Sequence, residues 1–185
     1  MSFVPKDYAL PKSNSKYLKF EEGDNVIRIL DKPLLGWLDW KEVDGKKSPV
    51  RTPFLDNKPE PLGKNPVKHF WALPVWDYKD ETIKILEITQ SSIQEVLIKL
   101  DMDEAWGSPT GYDININRTG KDLETKYTVI AKPPKQLSSE IGSKYIEMPF
   151  NIEALLTNDD PFAVKQVNDI EEVTKNDIPI DQIKF

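Results

Sequence analysis

Cysteine is absent from this 185-residue chain, and His69 is its only histidine. Without cysteine there is no disulfide framework, no thiolate metal ligand and no Cys-His nucleophile. Zinc and iron sites of the usual His/Cys type need more such ligands than one histidine can supply. The sequence therefore predicts a protein without a metal or another cofactor.

Long apolar runs are also missing, and the N-terminus lacks the pattern of a secretory signal. A membrane-spanning helix needs about 20 consecutive apolar residues. We therefore expect no membrane association and a reducing, cytoplasmic location, which the lack of cysteine also favours.

The net charge of −6 is unevenly distributed, which matters more than its sign. Residues 151–185 carry a net charge of −5, whereas residues 45–69 carry +4. The chain thus combines a nearly neutral body, a basic segment and an acidic tail. Such asymmetry is typical of proteins that bind a charged partner, although a basic segment can equally be a solvated loop.

The most aromatic stretch is His69 to Tyr78, which carries four aromatic rings in ten residues between polar segments. This composition predicts a β-strand. Strand alternation places Phe70, Ala72, Trp76 and Tyr78 on one face and His69, Trp71, Leu73 and Val75 on the other. Because both faces carry rings, we expect one face to be core and the other an exposed platform, the alternative being that every ring is core. Pro74 cannot donate to a ladder and indicates a bulge or an edge position.

The remaining patterns give the order of elements. Strands are predicted at 25–30, 36–41, 82–88, 112–117 and 125–131, and Ile93, Val96, Leu97 and Leu100 have the spacing of one amphipathic helix. The fold class is mainly β with one helix. A helix between the third and fourth of five strands is the order of an OB-fold five-stranded barrel, here with an extra hairpin and an extended C-terminal tail.

The domain organisation follows from the same patterns. We predict a flexible N-terminal arm at 1–16, an OB-fold domain at 17–135, a linker at 136–163 that can form a short helix, and an acidic tail at 164–185. OB-folds bind oligonucleotides or oligosaccharides around their second and third strands. Here those strands carry Trp37, Trp40, Phe70 and Trp71, and the basic segment lies between them.

Several segments resemble the single-stranded-DNA-binding proteins of tailed bacteriophages. They are residues 17–30 (YLKFEEGDNVIRIL), 36–40 (GWLDW), 49–51 (PVR), 69–72 (HFWA) and 111–129 (GYDININRTGKDLETKYTV). The resemblance implies a non-enzymatic protein that coats single-stranded DNA in phage replication, recombination and repair, in the cytoplasm of the infected bacterial host. It is compatible with homo-oligomers on DNA. The zinc subdomain of the T-even member cannot be carried over, because this chain has no cysteine.

Stacking rings and phosphate-binding cations are the groups that single-stranded nucleic acid requires. The sequence nominates Trp37 and Trp71 as stacking rings and Trp40 as a further candidate, and it assigns Trp76 and Trp106 to packing. The full predicted nucleic-acid-binding set is Arg28, Trp37, Trp40, Lys46, Lys47, Arg51, Phe70, Trp71, Arg118, Lys121 and Tyr127.

The end of the chain resembles the acidic, apolar-tipped tails of bacterial and phage single-strand binders. The resemblance implies that this tail recruits replication and recombination proteins through Asp177, Ile178, Pro179, Ile180 and Phe185. Lys184 departs from a strictly acidic tip, and the alternative is a solubilising tail.

Two other functions remain open. A carbohydrate-binding OB-like β-module would also use aromatic platforms, but a neutral sugar has no use for the basic segment. A metal-dependent nuclease could use Asp101, Asp103 and Glu104, although acids so close together are typical of a solvated helix end. No glycine-rich phosphate loop is present, so we predict that the protein is not an enzyme.

Overall fold

The computed structural model describes residues 15–54 and 57–163. Their secondary structure is mainly β, as predicted. The strands are β1 (Gly23–Ile29), β2 (Leu34–Val43), β3 (Lys46–Pro53), β4 (Lys68–Asp77), β5 (Thr82–Ile88), β6 (Asp113–Thr119) and β7 (Lys126–Ala131). Two α-helices accompany them, α1 (Ser91–Met102) and α2 (Ser139–Glu147), with 3-10 turns at Pro109–Gly111, Asp122–Glu124 and Ile152–Thr157.

The seven strands form one antiparallel sheet in the order β3-β2-β4-β1-β6-β7, and β5 pairs with the other edge of β4. This path is open, since the described residues include no pairing between β3 and β7. The closed barrel that we expected is therefore not formed by these pairings. The helix α1 does lie where the sequence predicted it, between the β4–β5 hairpin and β6.

Strand β4 is the centre of the sheet because it contacts three other strands. Its first half pairs with β2 as far as Ala72, and its second half pairs with β1 from Val75 onward. Pro74 lies where the pairing strand changes from β2 to β1. At this position the sheet does not need an N–H donor on that edge of β4. Its carbonyl accepts a hydrogen bond from the Leu30 amide at 2.9 Å.

The two faces of the sheet have different covers. On the face that we call the α1 face, Ile27, Leu73 and Val75 pack against Ile93 and Leu97 of α1. On the opposite α2 face, residues of the segment 136–163 cover the sheet. There Ile141 packs with Trp76 and Ile83, and Leu155 packs with Phe70, Ala72 and Ile85. The alternation predicted for β4 is confirmed.

The segment 136–163 was expected to be a linker, and this prediction is wrong. Leu155 is 1% exposed, and Phe150 and Phe162 pack against each other at a ring-centroid distance of 5.2 Å. The segment is thus part of the folded body, and it contains α2 as well as a short helical turn at Ile152–Thr157.

Strand β3 was also missed, because Pro49, Pro53 and three basic residues were interpreted as a loop. It is an edge strand, and the edge is where a sheet tolerates proline. Its pairing with β2 runs from Gly36↔Pro53 to Val43↔Lys46. A turn with Asp44 and Gly45 at positive φ joins the two strands.

Gly36 permits the tight packing between β2 and β4. It pairs with Phe70, and a Cβ at Gly36 would lie 2.5 Å from both the Phe70 ring and the Thr52 carbonyl oxygen. A side chain at this position would therefore displace the Phe70 ring from the core.

Neither α-helix of the described segments has the length and apolar character needed to cross a bilayer. Two predicted segments lie outside the described residues. They are residues 1–14 of the predicted arm and the predicted tail at 164–185.

Candidate functional site

An open aromatic surface occupies the α1 face of β2, β3 and the first half of β4. Two cross-strand rows build it. Thr52, Trp37 and His69 are register partners in the first row, and Leu35 and Trp71 are partners in the second. Phe54 follows β3 and joins the second row, since its amide donates to the Leu35 carbonyl oxygen at 3.1 Å. We call Leu35, Trp37, Phe54, His69 and Trp71 the aromatic patch.

Three rings of the aromatic patch contact one another. Phe54 stacks on Trp37 with a centroid distance of 5.7 Å and an interplanar angle of 25°. His69 contacts both rings edge-on, at 5.4 Å from Trp37 and 5.2 Å from Phe54. Such geometries are favourable between aromatic rings, so the rings hold one another in place on the sheet.

The aromatic patch is open to solvent where α1 does not reach. Phe54 is 50% exposed and Leu35 is 38% exposed, while Trp37, His69 and Trp71 are half-buried. Within the described residues, Trp71 packs on the edge of the α1-face core, whereas Trp37 and Phe54 pack against no core cluster. A contiguous exposed apolar surface of this kind is a recognised mark of a binding site.

Unpaired polar atoms concentrate at the aromatic patch. Among the described residues, Trp37 Nε1, Thr52 Oγ1, His69 Nε2 and Trp71 Nε1 are all buried without a hydrogen-bond partner. Buried polar groups are nearly always paired, with water if not with protein. Their concentration distinguishes this region from the core beside it.

Positive charge lies on the same face as the aromatic patch. Alternation along β2 and β3 places Lys41 and Lys46 on the side of Trp37. Both lysines are exposed, and neither forms an ion pair with a residue of the described segments. The segment that follows β3 is fixed nearby, because the Leu62 amide donates to the buried Asp39 carboxylate at 2.6 Å.

Eight of the eleven predicted binding residues fall into three groups. Trp37, Lys46 and Trp71 lie on the α1 face. Trp40 and Lys47 are exposed on the α2 face, where Trp40 pairs with Pro49 and is 45% exposed. The third group lies at the other end of the strand order and contains Arg118, Lys121 and Tyr127.

In that third group, Lys121 is exposed and Arg118 is half-buried opposite Tyr127. The Tyr127 ring packs on Phe20 at 5.5 Å, at the edge of the α1-face core. No direct contact between this group and the aromatic patch is found in the described residues. These residues therefore lie apart from the aromatic patch in the strand order.

Two of the predicted binding residues are buried and must be corrected. Phe70 is 0% exposed and belongs to the α2-face core, so its ring cannot stack on a base. Arg28 is 3% exposed. Its guanidinium pairs with Asp113 at 3.3 Å and donates to the carbonyl oxygens of Thr110 at 3.0 Å and Lys135 at 2.8 Å. These bonds use the donors that a phosphate would need.

Tyr78 belongs to the same network as Arg28. Its hydroxyl donates to the Asp113 carboxylate at 2.9 Å. Burial, together with this bond and the carboxylate charge, raises the pKa of Tyr78 to about 12. The network is a structural connection between β4, β6 and the chain that follows β7.

Arg51 is also engaged within the protein. Its side chain is only 8% exposed, and it pairs with Glu87 at 2.6 Å and with Asn158 at 3.2 Å. It therefore joins β3 to β5 and to the C-terminal segment, and its charge is already neutralised.

The two tryptophans assigned to packing agree with the structure, since Trp76 is 5% exposed and Trp106 packs on Tyr112 at 5.4 Å.

Sequence reasoning missed Phe54 and Leu35. Phe54 is the only aromatic residue between Trp40 and His69, in a segment otherwise rich in Pro and Lys. An isolated aromatic residue in such a polar segment is the feature that could have indicated a ring on the surface. Leu35 gave no signal, because only its position beside Trp71 makes it part of the aromatic patch.

Asp101, Asp103 and Glu104 are exposed at the end of α1. Asp103 accepts a hydrogen bond from the Ala105 amide at 2.8 Å. Within residues 15–54 and 57–163, no group of three or more His, Asp or Glu side chains is arranged to hold a metal ion. The predicted tail residues Asp177, Ile178, Pro179, Ile180 and Phe185 lie outside the described part of the chain.

Comparisons of the chain with protein-family models, with curated proteins and with solved structures found no match.

Proposed function

We propose that this protein binds single-stranded DNA through the aromatic patch, with little sequence preference and without catalysis. The observation that supports it most is the set of contacting rings at Trp37, Phe54 and His69, which lie on one open sheet face together with the exposed Lys41 and Lys46. Rings that stack bases and cations that follow phosphates are the two components of nonspecific single-strand binding. Each stacked base contributes about 1–3 kcal/mol, so two rings suffice for useful affinity.

The arginines that are paired inside the protein bear on which face of the sheet binds DNA. Arg28 and Arg51 are the arginines of the predicted set on the α2 face, and both are paired inside the protein. The unpaired lysines Lys41 and Lys46 belong to the α1 face. One exposed ring and one unpaired lysine also lie on the α2 face, but the α1 face combines three contacting rings with two unpaired lysines, which favours it as the path of the DNA strand.

The proposal retains an OB-like relationship for the domain. It is supported by the position of α1 between β5 and β6 and by the aromatic surface on the strands around β2. Together with the resemblance to tailed-phage proteins, it assigns the chain to the coating and protection of DNA in phage replication and recombination, within the bacterial host cytoplasm. On the same basis the acidic tail recruits partner proteins.

The test is a titration of the tryptophan fluorescence with a thymidine oligomer at low and at high salt. We expect quenching that saturates, and an affinity that falls as salt rises, because bound phosphates release counterions. An affinity that does not change with salt would contradict the proposal. In a parallel titration with neutral oligosaccharides, saturable binding there and none to DNA would favour the carbohydrate-binding alternative.

A further inference from the structure

A cleft of about 400 Å³ opens directly beside the aromatic patch. Leu35 and Trp71 belong to both, so the two surfaces are continuous. The far wall is formed by Leu97 and Ile98 of α1, and the floor by Ile29 and Leu73 of the sheet. We call it the side cleft. Its walls are mainly apolar, as expected of a site for a flat organic ring.

The polar groups of the side cleft have the wrong sign for a phosphate. It is lined by two carboxylates, Asp31 and Asp101, against one ammonium group, Lys32. Carboxylates accept hydrogen bonds and repel phosphate oxygens. They suit a ligand that donates through N–H groups.

The two carboxylates are not equally available. Asp31 already accepts hydrogen bonds from the Lys32 amide at 2.7 Å and from the Tyr145 hydroxyl at 3.3 Å. Asp101 is exposed on α1, and no residue of the described segments donates a hydrogen bond to its carboxylate. Asp101 is therefore the acceptor that remains for a ligand.

Trp71 supplies the complementary donor. Its indole lines the side cleft, and its Nε1–H is buried without an acceptor in the described residues. A ligand that enters beside it with a carbonyl oxygen or a ring nitrogen would provide this missing partner once the indole turns its N–H toward the cleft.

We infer that one base of the bound DNA strand leaves the stack on the aromatic patch and enters the side cleft. Its ring packs between Leu97 and the sheet, one N–H donates to Asp101, and one acceptor receives the Trp71 Nε1–H. This inference rests on the proposed function. Every base carries both an N–H donor and an acceptor. The side cleft therefore accepts any base whose N–H donor is free to bond with Asp101, and it imposes no preference for one sequence.

Thymine allows a sharp test, because N3–H is its only donor. The experiment compares the affinity of a thymidine oligomer with that of an oligomer in which every thymine is N3-methylated. We expect the wild-type protein to bind the methylated strand about tenfold more weakly, as for the loss of a hydrogen bond to a charged group. Asp101→Ala should bind both strands equally, whereas the control Glu104→Ala, at an exposed acid outside the side cleft, should discriminate like the wild type.

The outcomes separate the two proposals. If the wild-type protein binds the thymidine oligomer but does not discriminate, or if Asp101→Ala still discriminates, the inference is wrong and the proposed function stands. If the thymidine oligomer does not bind at all, both are wrong. Free thymidine should not bind appreciably without the strand.

Discussion

Trp71 and Trp76 lie on the same strand, five residues apart, but one lines an open surface and the other is buried in the core. Trp71 is half-buried on the α1 face and lines an open cleft. Trp76 is 5% exposed on the α2 face, where Ile141 packs on it and the Lys144 ammonium lies 5.1 Å from its ring centroid. The residue type and the strand are the same, so the covering element decides whether a ring belongs to the core or to a surface.

The largest expected effect concerns the covered ring. We expect Trp76→Ala to lower the free energy of unfolding by about 3–5 kcal/mol, the usual cost of truncating a buried aromatic side chain. Chemical denaturation measures this change. The DNA affinity of the folded fraction should remain that of the wild type, and a selective loss of affinity would mean that the covered face also binds DNA.

The buried arginine gives an effect of similar size. Arg28→Ala leaves the Asp113 carboxylate without its cation and removes a donor from two carbonyl oxygens, so we expect a loss of about 3–5 kcal/mol in unfolding free energy. Urea unfolding is the measurement. The control is Arg118→Ala, which removes the same type of side chain from a half-buried position and should cost much less. Equal losses would show that the Arg28 network adds no stability beyond that of an ordinary half-buried arginine.

Much of this comparison could be predicted from the sequence. Alternation alone separated Trp71 from Phe70 and Trp76, because a strand has a period of two. The sequence could not indicate which face would be covered, since the cover is the segment 136–163, whose spaced apolar residues were interpreted as a linker. The burial of Arg28 was equally inaccessible, because its partner Asp113 lies 85 residues away in the chain and meets it only through the pairing of β1 with β6.

A smaller effect concerns the charges of the open face. We expect Lys41→Gln and Lys46→Gln each to reduce the salt dependence of binding, by about 0.7 in the slope of log affinity against log salt for each phosphate that the variant no longer neutralises. Fluorescence titrations over a series of salt concentrations measure the slope. Lys144→Gln on the covered face should leave it unchanged, and a slope altered only by Lys144→Gln would place the DNA on the opposite face of the sheet.

The smallest expected effect concerns the ionisation of the Tyr78 hydroxyl at high pH. The pKa of Tyr78 is about 12 in the folded protein, against about 10 in an unfolded chain. The folded state therefore holds this proton more tightly, so its contribution to stability is complete below pH 10 and is lost as the pH rises toward 12. In an alkaline absorbance titration, Tyr78→Phe should remove phenolate signal near pH 12, and loss of signal near pH 10 would contradict the Asp113 contact.

The most direct test of the central claim compares two exposed rings on opposite faces. Phe54 is 50% exposed in the aromatic patch, and Trp40 is 45% exposed on the α2 face. The measurement is the affinity of Phe54→Ala and of Trp40→Ala for the same thymidine oligomer at low salt. We predict that Phe54→Ala loses about 1–3 kcal/mol of binding free energy, and that Trp40→Ala binds like the wild type. Wild-type affinity in Phe54→Ala together with a loss in Trp40→Ala would contradict the assignment of the DNA to the aromatic patch.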